Sequence, residues 1–112
     1  MKIDLRPNEK LIREGGANIQ RGAEAVGGRL FLTNQRLFFQ SHAFNVQTGA
    51  SELPLPEIAG TRLCWTRFLG VFPVFPNTLA VRSISDKEYR FVLYGRKEWA
   101  AAIAAQQPSV GG

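Results

Sequence analysis

Apolar and polar residues alternate along most of this chain, and the alternation is clearest between residues 28 and 42. Two runs there flank Thr33-Asn34-Gln35, a tight connection because asparagine tolerates left-handed backbone. The pattern predicts a β-hairpin with two distinct faces. The face predicted to be the core carries four apolar residues: Leu30, Leu32, Leu37 and Phe39. The opposite face is mixed and places two aromatic residues beside two arginines: Phe31, Phe38, Arg29 and Arg36.

Short strands are predicted on both sides of this hairpin. Residues 10–20 form a first strand, with a bulge expected at Gly15-Gly16. Residues 51–55 form an edge strand, because proline is tolerated at an edge, and a helical turn follows. Three further strands complete the pattern, the last two joined by a turn at Ile84-Ser85-Asp86: residues 61–68, 78–83 and 87–94.

The period of the pattern changes at Arg96. Trp99, Ala102 and Ile103 follow one another at helical spacing in an alanine-rich segment that Pro108 ends. A helix this short is marginal alone in water, so we expect it to dock on the strands through Trp99 and Ile103. The chain is therefore mostly β: a bent antiparallel barrel or sandwich of about seven strands, capped by one C-terminal α-helix. We predict one domain at residues 8–107, with flexible termini at 1–7 and 108–112.

Composition narrows the class of protein. The chain has 112 residues, which suits a single core, and a net charge of +5 that is spread along it. The single cysteine excludes an internal disulfide, and the first residues lack the apolar run of a signal peptide. The longest uncharged apolar stretch, residues 68–81, is too short and too proline-broken to span a bilayer. These features predict a cytoplasmic protein that works in solution or at the periphery of a membrane.

Catalytic chemistry finds little support in the sequence. His42 and Cys64 are the sole histidine and cysteine, they fall on different predicted strands, and neither lies in a nucleophile motif. One histidine and one cysteine are too few to ligate zinc, and the glycine pairs do not match phosphate-binding loops. We therefore predict no enzyme activity, no cofactor and no metal.

An apolar segment between two predicted strands is the first candidate interaction site. It places six large apolar residues between glycine and proline breakers: Phe68, Leu69, Val71, Phe72, Val74 and Phe75. A connection normally runs over the surface and is polar, so an exposed cluster of this kind needs a partner or a membrane. Three interpretations stay open: a lid or edge strand over the core, a protein or self-association interface, and membrane insertion.

Arginines supply the second candidate site. Ten of the fourteen basic residues are arginine, which suits bidentate contacts to phosphate or carboxylate groups. Either they form a solvated face with cross-strand ion pairs, or some of them combine into an anion-binding patch. The candidate anion contacts are Arg21, Arg29, Arg36, Arg62 and Arg67.

The run from Gly28 to Phe39 reads G-x-L-x-L-T-N-x-R-L-x-F, and it resembles the hallmark of the GRAM domain family. Leu55 to Ile58, Lys87 to Phe91 and Arg96 to Trp99 are similar to further family segments, the last to small bacterial single-domain members. The resemblance covers residues 8–104. It implies a pleckstrin-homology (PH)-like fold whose C-terminal helix plugs one end with its tryptophan, and a non-enzymatic module for lipids or proteins.

The resemblance also has a departure. Phosphoinositide-binding PH-like domains place an R-x-R-type pair on the second strand, whereas this chain has Arg29-Leu30-Phe31. We therefore expect a protein partner or an anionic membrane surface rather than a specific phosphoinositide. Self-association as a homo-oligomer is the alternative. Single-stranded nucleic-acid binding through Phe31, Phe38, Arg29 and Arg36 ranks behind both.

Overall fold

A computed structural model describes residues 3–21, 24–41, 50–68 and 72–107 of the chain. They form seven strands, one 3-10 turn at Leu55–Glu57 and one helix, α1, at Arg96–Gln106. The strands are β1 Leu11–Arg21, β2 Glu24–Thr33, β3 Arg36–Ser41, β4 Ala50–Pro54, β5 Ile58–Phe68, β6 Phe72–Ser83 and β7 Glu88–Leu93.

All seven strands join one antiparallel sheet in the order β4-β3-β2-β1-β7-β6-β5. The predicted fold class is confirmed, with one correction. The sheet does not close into a barrel, because β4 and β5 are its two edges and do not pair with each other. The pairing of β1 with β7 joins the N-terminal and C-terminal halves of the sheet.

The core lies between the two halves of the bent sheet and α1. The predicted core set of the first hairpin is at most 2% exposed, and Leu79, Val81 and Phe91 from β6 and β7 join the same cluster. From α1, Trp99 and Ile103 belong to it. The alternation of apolar residues therefore predicted the inward face of the hairpin correctly.

Several strand boundaries differ from those predicted. β2 begins at Glu24 rather than at the predicted Gly28, because residues 24–27 pair with β1. At Gly28 itself, a Cβ would overlap the carbonyl oxygen of Gln40. β6 begins at Phe72 and pairs with β5 as far as Phe68, so the apolar segment extends a hairpin. The irregularity of β1 lies between Leu11 and Arg13, not at the glycine pair.

Candidate functional site

The turn between β2 and β3 holds the N-terminal segment, residues 3–10, against the sheet. The Asn34 side chain accepts a hydrogen bond from the Lys10 amide at 2.8 Å and donates to the carbonyl of Asn8 at 3.1 Å. The Gln35 side chain donates to the carbonyl of Pro7 at 3.0 Å. The Thr33 hydroxyl accepts from the amide of Arg36 at 3.0 Å, which closes the turn. The T-N-x-R part of the hallmark run is thus a clasp for residues 3–10.

A buried ion pair completes this clasp. The Arg36 guanidinium donates to both carboxylate oxygens of Glu9, at 2.8 and 3.1 Å, and Thr33 donates to Glu9 at 2.6 Å. The bonds from Arg36 outweigh the effect of burial and lower the pKa of Glu9 to about 2. The same contact raises the pKa of Arg36. Arg36 also donates to Glu52 at 2.7 Å and to the carbonyl of Asp4 at 2.9 Å.

The clasp changes the mixed face of the first hairpin. Phe31 is fully buried and Arg36 is 6% exposed, although both point away from the core. Phe31 packs on Phe38 with ring centroids 6.2 Å apart, and the Arg36 guanidinium lies 5.0 Å from the Phe38 ring. A base cannot stack on Phe31, and Arg36 already has two carboxylate partners. Two of the four residues of the predicted nucleic-acid surface, Phe31 and Arg36, are thus inaccessible. Strand alternation does not reveal this for Arg36, because its partner Glu9 comes from the N-terminal segment.

The domain boundary at residue 8 stays a prediction. Asp4 and Arg6 lie before it, and both contact the sheet: Arg6 bonds Glu52 at 2.7 Å, and the carbonyl of Asp4 accepts from Arg36.

Of the remaining predicted arginines, the two whose side chains the structure describes, Arg29 and Arg62, do not come together. Arg29 pairs with Glu14 on β1 at 2.9 Å, and Arg62 pairs with Glu88 on β7 at 3.1 Å, in the other half of the sheet. The side chains of Arg21 and Arg67 lie outside the described part of the structure, as does His42. Of the five candidates, Arg62 thus lies in a different surface from Arg29 and Arg36.

Arg62 belongs to a second group of arginines, on the outer side of β5, β6 and β7. Arg62 pairs in register with Ala80, and Ala80 pairs with Arg90. Arg82 is two residues from Ala80 on the same strand and therefore points to the same side. We call Arg62, Arg82 and Arg90 the arginine face. Arg82 and Arg90 are not among the arginines selected from the sequence, because their proximity to Arg62 depends on strand register.

Small residues leave space between these arginines. A groove of about 340 Å³ runs over Gly60 and Ala80, with Arg62, Arg82 and Glu88 among its lining residues. Arg62 and Arg82 are well exposed, with 65% and 59% of their side chains accessible. One strand carboxylate, Glu88, forms ion pairs with Arg62 and Arg90. The carboxylate of Asp86, in the turn between β6 and β7, lies 3.8 Å from the Arg82 guanidinium. Three guanidiniums therefore face two carboxylates, and the groove carries a net positive charge.

A second cleft, of about 550 Å³, lies where β4 approaches β1 and β7. It is lined by two carboxylates and one ammonium among polar residues: Gln20, Ser51, Glu52, Lys87, Glu88 and Tyr89 with Ile19. The Lys87 ammonium lies 5.1 Å from the Tyr89 ring. With two acidic groups to one basic group, this cleft does not favour an anionic ligand. Among the described residues, no group of histidine, cysteine, aspartate or glutamate could hold a metal ion.

The apolar segment is described only in its backbone. Phe68 ends β5, and Phe72, Val74 and Phe75 lie in β6, where Phe68 pairs with Phe72 and Thr66 pairs with Phe75. Leu69 and Val71 and all side chains of this segment lie outside the described part of the structure. The interpretation of these six residues as an interaction site stays a prediction.

Helix α1 lies along the free edge of β5. Its first residue, Arg96, donates from Nη1 to the carbonyl of Cys64 at 2.6 Å. Gln107, directly after the helix, donates to the carbonyl of Ile58 at 2.9 Å. Trp99 belongs to the core cluster, and the Arg13 guanidinium lies 5.3 Å from the centre of its ring. The helix therefore both fills the core and occupies backbone acceptors of an edge strand.

Comparisons with known structures agree with this architecture. A C-terminal domain of an unknown protein from Leishmania infantum superposes with a TM-score of 0.71 at 19% identity, over 89% of this chain and 85% of that one. The Vps36 N-terminal PH domain gives 0.63 at 21% identity, over 90% and 83%. The DH/PH domains of p115-RhoGEF give 0.69 at 18% identity, over 90% of this chain but 31% of theirs. At these identities the likeness establishes a PH-like fold and nothing more.

Sequence comparison is more specific. A family model described as GRAM domain matches residues 1–96, which is most of the chain and includes the N-terminal segment. No curated protein matches the chain. No helix among the described residues is long and apolar enough to cross a membrane.

Proposed function

Because the chain belongs to the GRAM domain family, whose members are generally non-catalytic interaction modules, we propose that it binds an anionic membrane surface. The observation that supports this proposal is the arginine face. This face consists of Arg62, Arg82 and Arg90, which project from three neighbouring strands on the same side of the sheet. The arginine face is therefore better suited to a planar anionic surface than the mixed cleft at β4 is.

The proposal assigns a limited energy to each arginine. A basic side chain close to an anionic bilayer contributes about 1 kcal/mol, and salt screens the attraction within about a Debye length. Binding through the arginine face should therefore be moderate, reversible and sensitive to ionic strength. Peripheral association of this kind needs no apolar insertion, although the hairpin of β5 and β6 would strengthen it.

Co-sedimentation with vesicles tests the proposal. The protein should bind phosphatidylcholine vesicles that contain phosphatidylserine, more weakly at physiological than at low salt, and should not bind phosphatidylcholine alone. The double variant Arg62→Ala/Arg82→Ala should bind about tenfold or more weakly. Arg29→Ala is the matched control, because Arg29 is also a strand arginine in an exposed ion pair but lies outside the arginine face.

Two results would count against the proposal. The double variant removes two charges and the control removes one. A loss of binding free energy in Arg29→Ala half as large as that in the double variant would therefore show that net charge alone matters. Absence of binding at low salt would contradict membrane binding, and binding of a protein partner or self-association would then be the remaining functions. The mass of the same sample in solution then separates these two alternatives.

A further inference from the structure

An exposed serine lies in the turn that joins β6 to β7, beside the arginine face. β6 ends at Ser83 and β7 begins at Glu88. Ser85 is exposed in this turn, and its neighbours Ile84 and Asp86 are exposed as well. The Ser85 hydroxyl lies 2.7 Å from the hydroxyl of Ser83. The tip of this hairpin therefore presents a nucleophilic oxygen at the surface of the protein.

The sequence around Ser85 has a charge pattern that protein kinases use to select substrates. Arg82 stands three residues before Ser85, and no other serine or threonine in the chain has a basic residue at that position. Kinases that prefer this Arg-x-x-Ser pattern bind the guanidinium with acidic side chains. The Arg82 side chain is 59% accessible, and its contact with Asp86 is a long one of 3.8 Å. The guanidinium is therefore available to such an enzyme.

The charge balance of the arginine face makes it sensitive to one added anion. The face has a net charge of +1, because three guanidiniums stand against the two carboxylates of Glu88 and Asp86. Lys87 does not add to it, since its ammonium lies 5.1 Å from the ring of Tyr89, which points to the opposite side of β7 from Glu88. A phosphoserine carries about −1.5 to −2 charges at neutral pH. Phosphorylation of Ser85 would therefore reverse the sign of the charge on this surface.

A phosphate on Ser85 would also reach Arg82. The carboxylate of Asp86, one residue further along the turn, already comes within 3.8 Å of the Arg82 guanidinium. A phosphoserine side chain is longer than that of aspartate and offers three acceptor oxygens, and a guanidinium binds phosphate through paired hydrogen bonds. The phosphate would thus occupy Arg82 from within the same chain, in competition with an external anionic surface.

We propose that Ser85 is a phosphorylation site and that its phosphate releases the arginine face from an anionic membrane. The second part rests on the proposed function, whereas the first part does not. In the reaction, Oγ of Ser85 attacks the terminal phosphorus of a nucleoside triphosphate. The Oγ–P bond forms while the bond to the nucleoside diphosphate breaks, and the hydroxyl proton passes to a base of the kinase.

The first experiment tests the modification itself. The protein is incubated with magnesium, ATP and the catalytic subunit of cyclic-AMP-dependent protein kinase, and mass spectrometry locates the phosphate. Ser85 should take up one phosphate, and Ser85→Ala should take up none. Arg82→Ala should slow the reaction about tenfold or more, because the kinase loses its charged contact. Arg90→Ala is the matched control, since it removes the same charge from the face but keeps the Arg-x-x-Ser pattern, and it should react as wild type does.

The second experiment measures the effect on membrane binding. Phosphorylated protein should bind vesicles of phosphatidylcholine and phosphatidylserine about tenfold or more weakly than unmodified protein does. Ser85→Glu adds a single charge and should weaken binding about fivefold. Ala101→Glu is the matched control, because it adds the same charge at an exposed position of α1 outside the face, and it should weaken binding less.

A third measurement needs no membrane. Phosphorus NMR of the phosphorylated protein should give the phosphoserine a second pKa below its ordinary value of about 6, because Arg82 stabilises the dianion. An ordinary second pKa would contradict the contact with Arg82.

The outcomes separate the inference from the proposed function. Absence of phosphate on Ser85 would overturn the inference, and it would mean that the hydrogen bonds of the turn keep the serine out of the kinase. Equal vesicle binding by phosphorylated and unmodified protein would overturn the effect on the arginine face while membrane binding stands. If unmodified protein binds no vesicle, the proposed function fails, and a phosphate on Ser85 with a lowered second pKa would still support the modification site.

Discussion

At the scale of single residues, the hallmark run is explained by its contacts. Thr33 and Asn34 fix the N-terminal segment, Arg36 neutralises Glu9 beneath it, and Gly28 gives the backbone of β3 room to approach. Thr33 and Arg36 are buried, and the exposed Asn34 uses its side chain to bond the N-terminal segment. In this chain the hallmark run thus holds the N-terminal segment and the first hairpin together, and the residues proposed for binding lie elsewhere.

The buried pair of Glu9 and Arg36 gives the first stability prediction. Glu9→Gln should lower the free energy of unfolding by about 3 kcal/mol, because it leaves the Arg36 guanidinium buried with an incomplete set of partners. Glu14→Gln removes an exposed partner instead and should cost less than about 1 kcal/mol. Urea unfolding of the three proteins at pH 7 measures both differences.

The lowered pKa of Glu9 adds a pH dependence to this prediction. Its pKa is about 2 in the folded protein against an ordinary value of 4.5, so its charge stabilises the fold fully above about pH 4.5. That contribution is lost as the pH falls towards 2. The gap between wild type and Glu9→Gln should therefore narrow over this range. If the difference in unfolding free energy stayed constant with pH, the packing of the Glu9 side chain rather than its charge would be the cause of the stabilisation.

At the scale of elements, sequence patterns predicted the inward faces of strands and helix better than the residues at which strands begin and end. Alternation assigned the inward faces of β2 and β3, and helical spacing selected Trp99 and Ile103 from an alanine-rich segment. The predicted start of β6 at residue 78 is wrong, because proline usually interrupts a strand, whereas Pro73 and Pro76 lie within a strand that pairs with β5. Proximity of Arg62 to Glu88 could not be predicted either, since it requires the register of three strands.

Helix α1 supports a prediction about association. Arg96→Ala/Gln107→Ala frees the edge carbonyls of Cys64 and Ile58, and an unprotected edge strand favours pairing with another chain. The variant should stay folded, since two hydrogen bonds contribute about 1–3 kcal/mol, but its mass should rise with concentration. Light scattering over a concentration series measures this, and Lys97→Ala, an exposed neighbour, should scatter as wild type does. A double variant that also scatters as wild type would show that the edge needs no protection.

At the scale of the whole molecule, β5 and β6 connect two proposed contact regions. Arg82 and Phe72 lie ten residues apart on β6, which is about 33 Å of extended strand. The same strand pair therefore carries the arginine face near one end and the apolar hairpin at the other. A protein lying with these strands along a membrane would present both regions together.

This geometry predicts the behaviour of Phe72→Ser/Phe75→Ser. The variant should keep its far-ultraviolet circular dichroism spectrum and unfolding midpoint, because both substitutions lie near the turn end of the β5–β6 hairpin. Its binding to phosphatidylserine vesicles should weaken, with the remaining binding more sensitive to salt than that of wild type. A variant that unfolds would instead assign these side chains to the core.

The complete burial of Phe31 constrains how this protein could change during evolution. The position of Phe31 is the one at which phosphoinositide-binding relatives of the fold would carry a second base. An arginine substituted there would be enclosed beside Arg36, whose charge already engages Glu9 and Glu52. A descendant could therefore acquire a headgroup site at this position only by rearranging the buried side chains around it, whereas Arg62 and Arg82 are exposed and can be substituted without disturbing a buried neighbour.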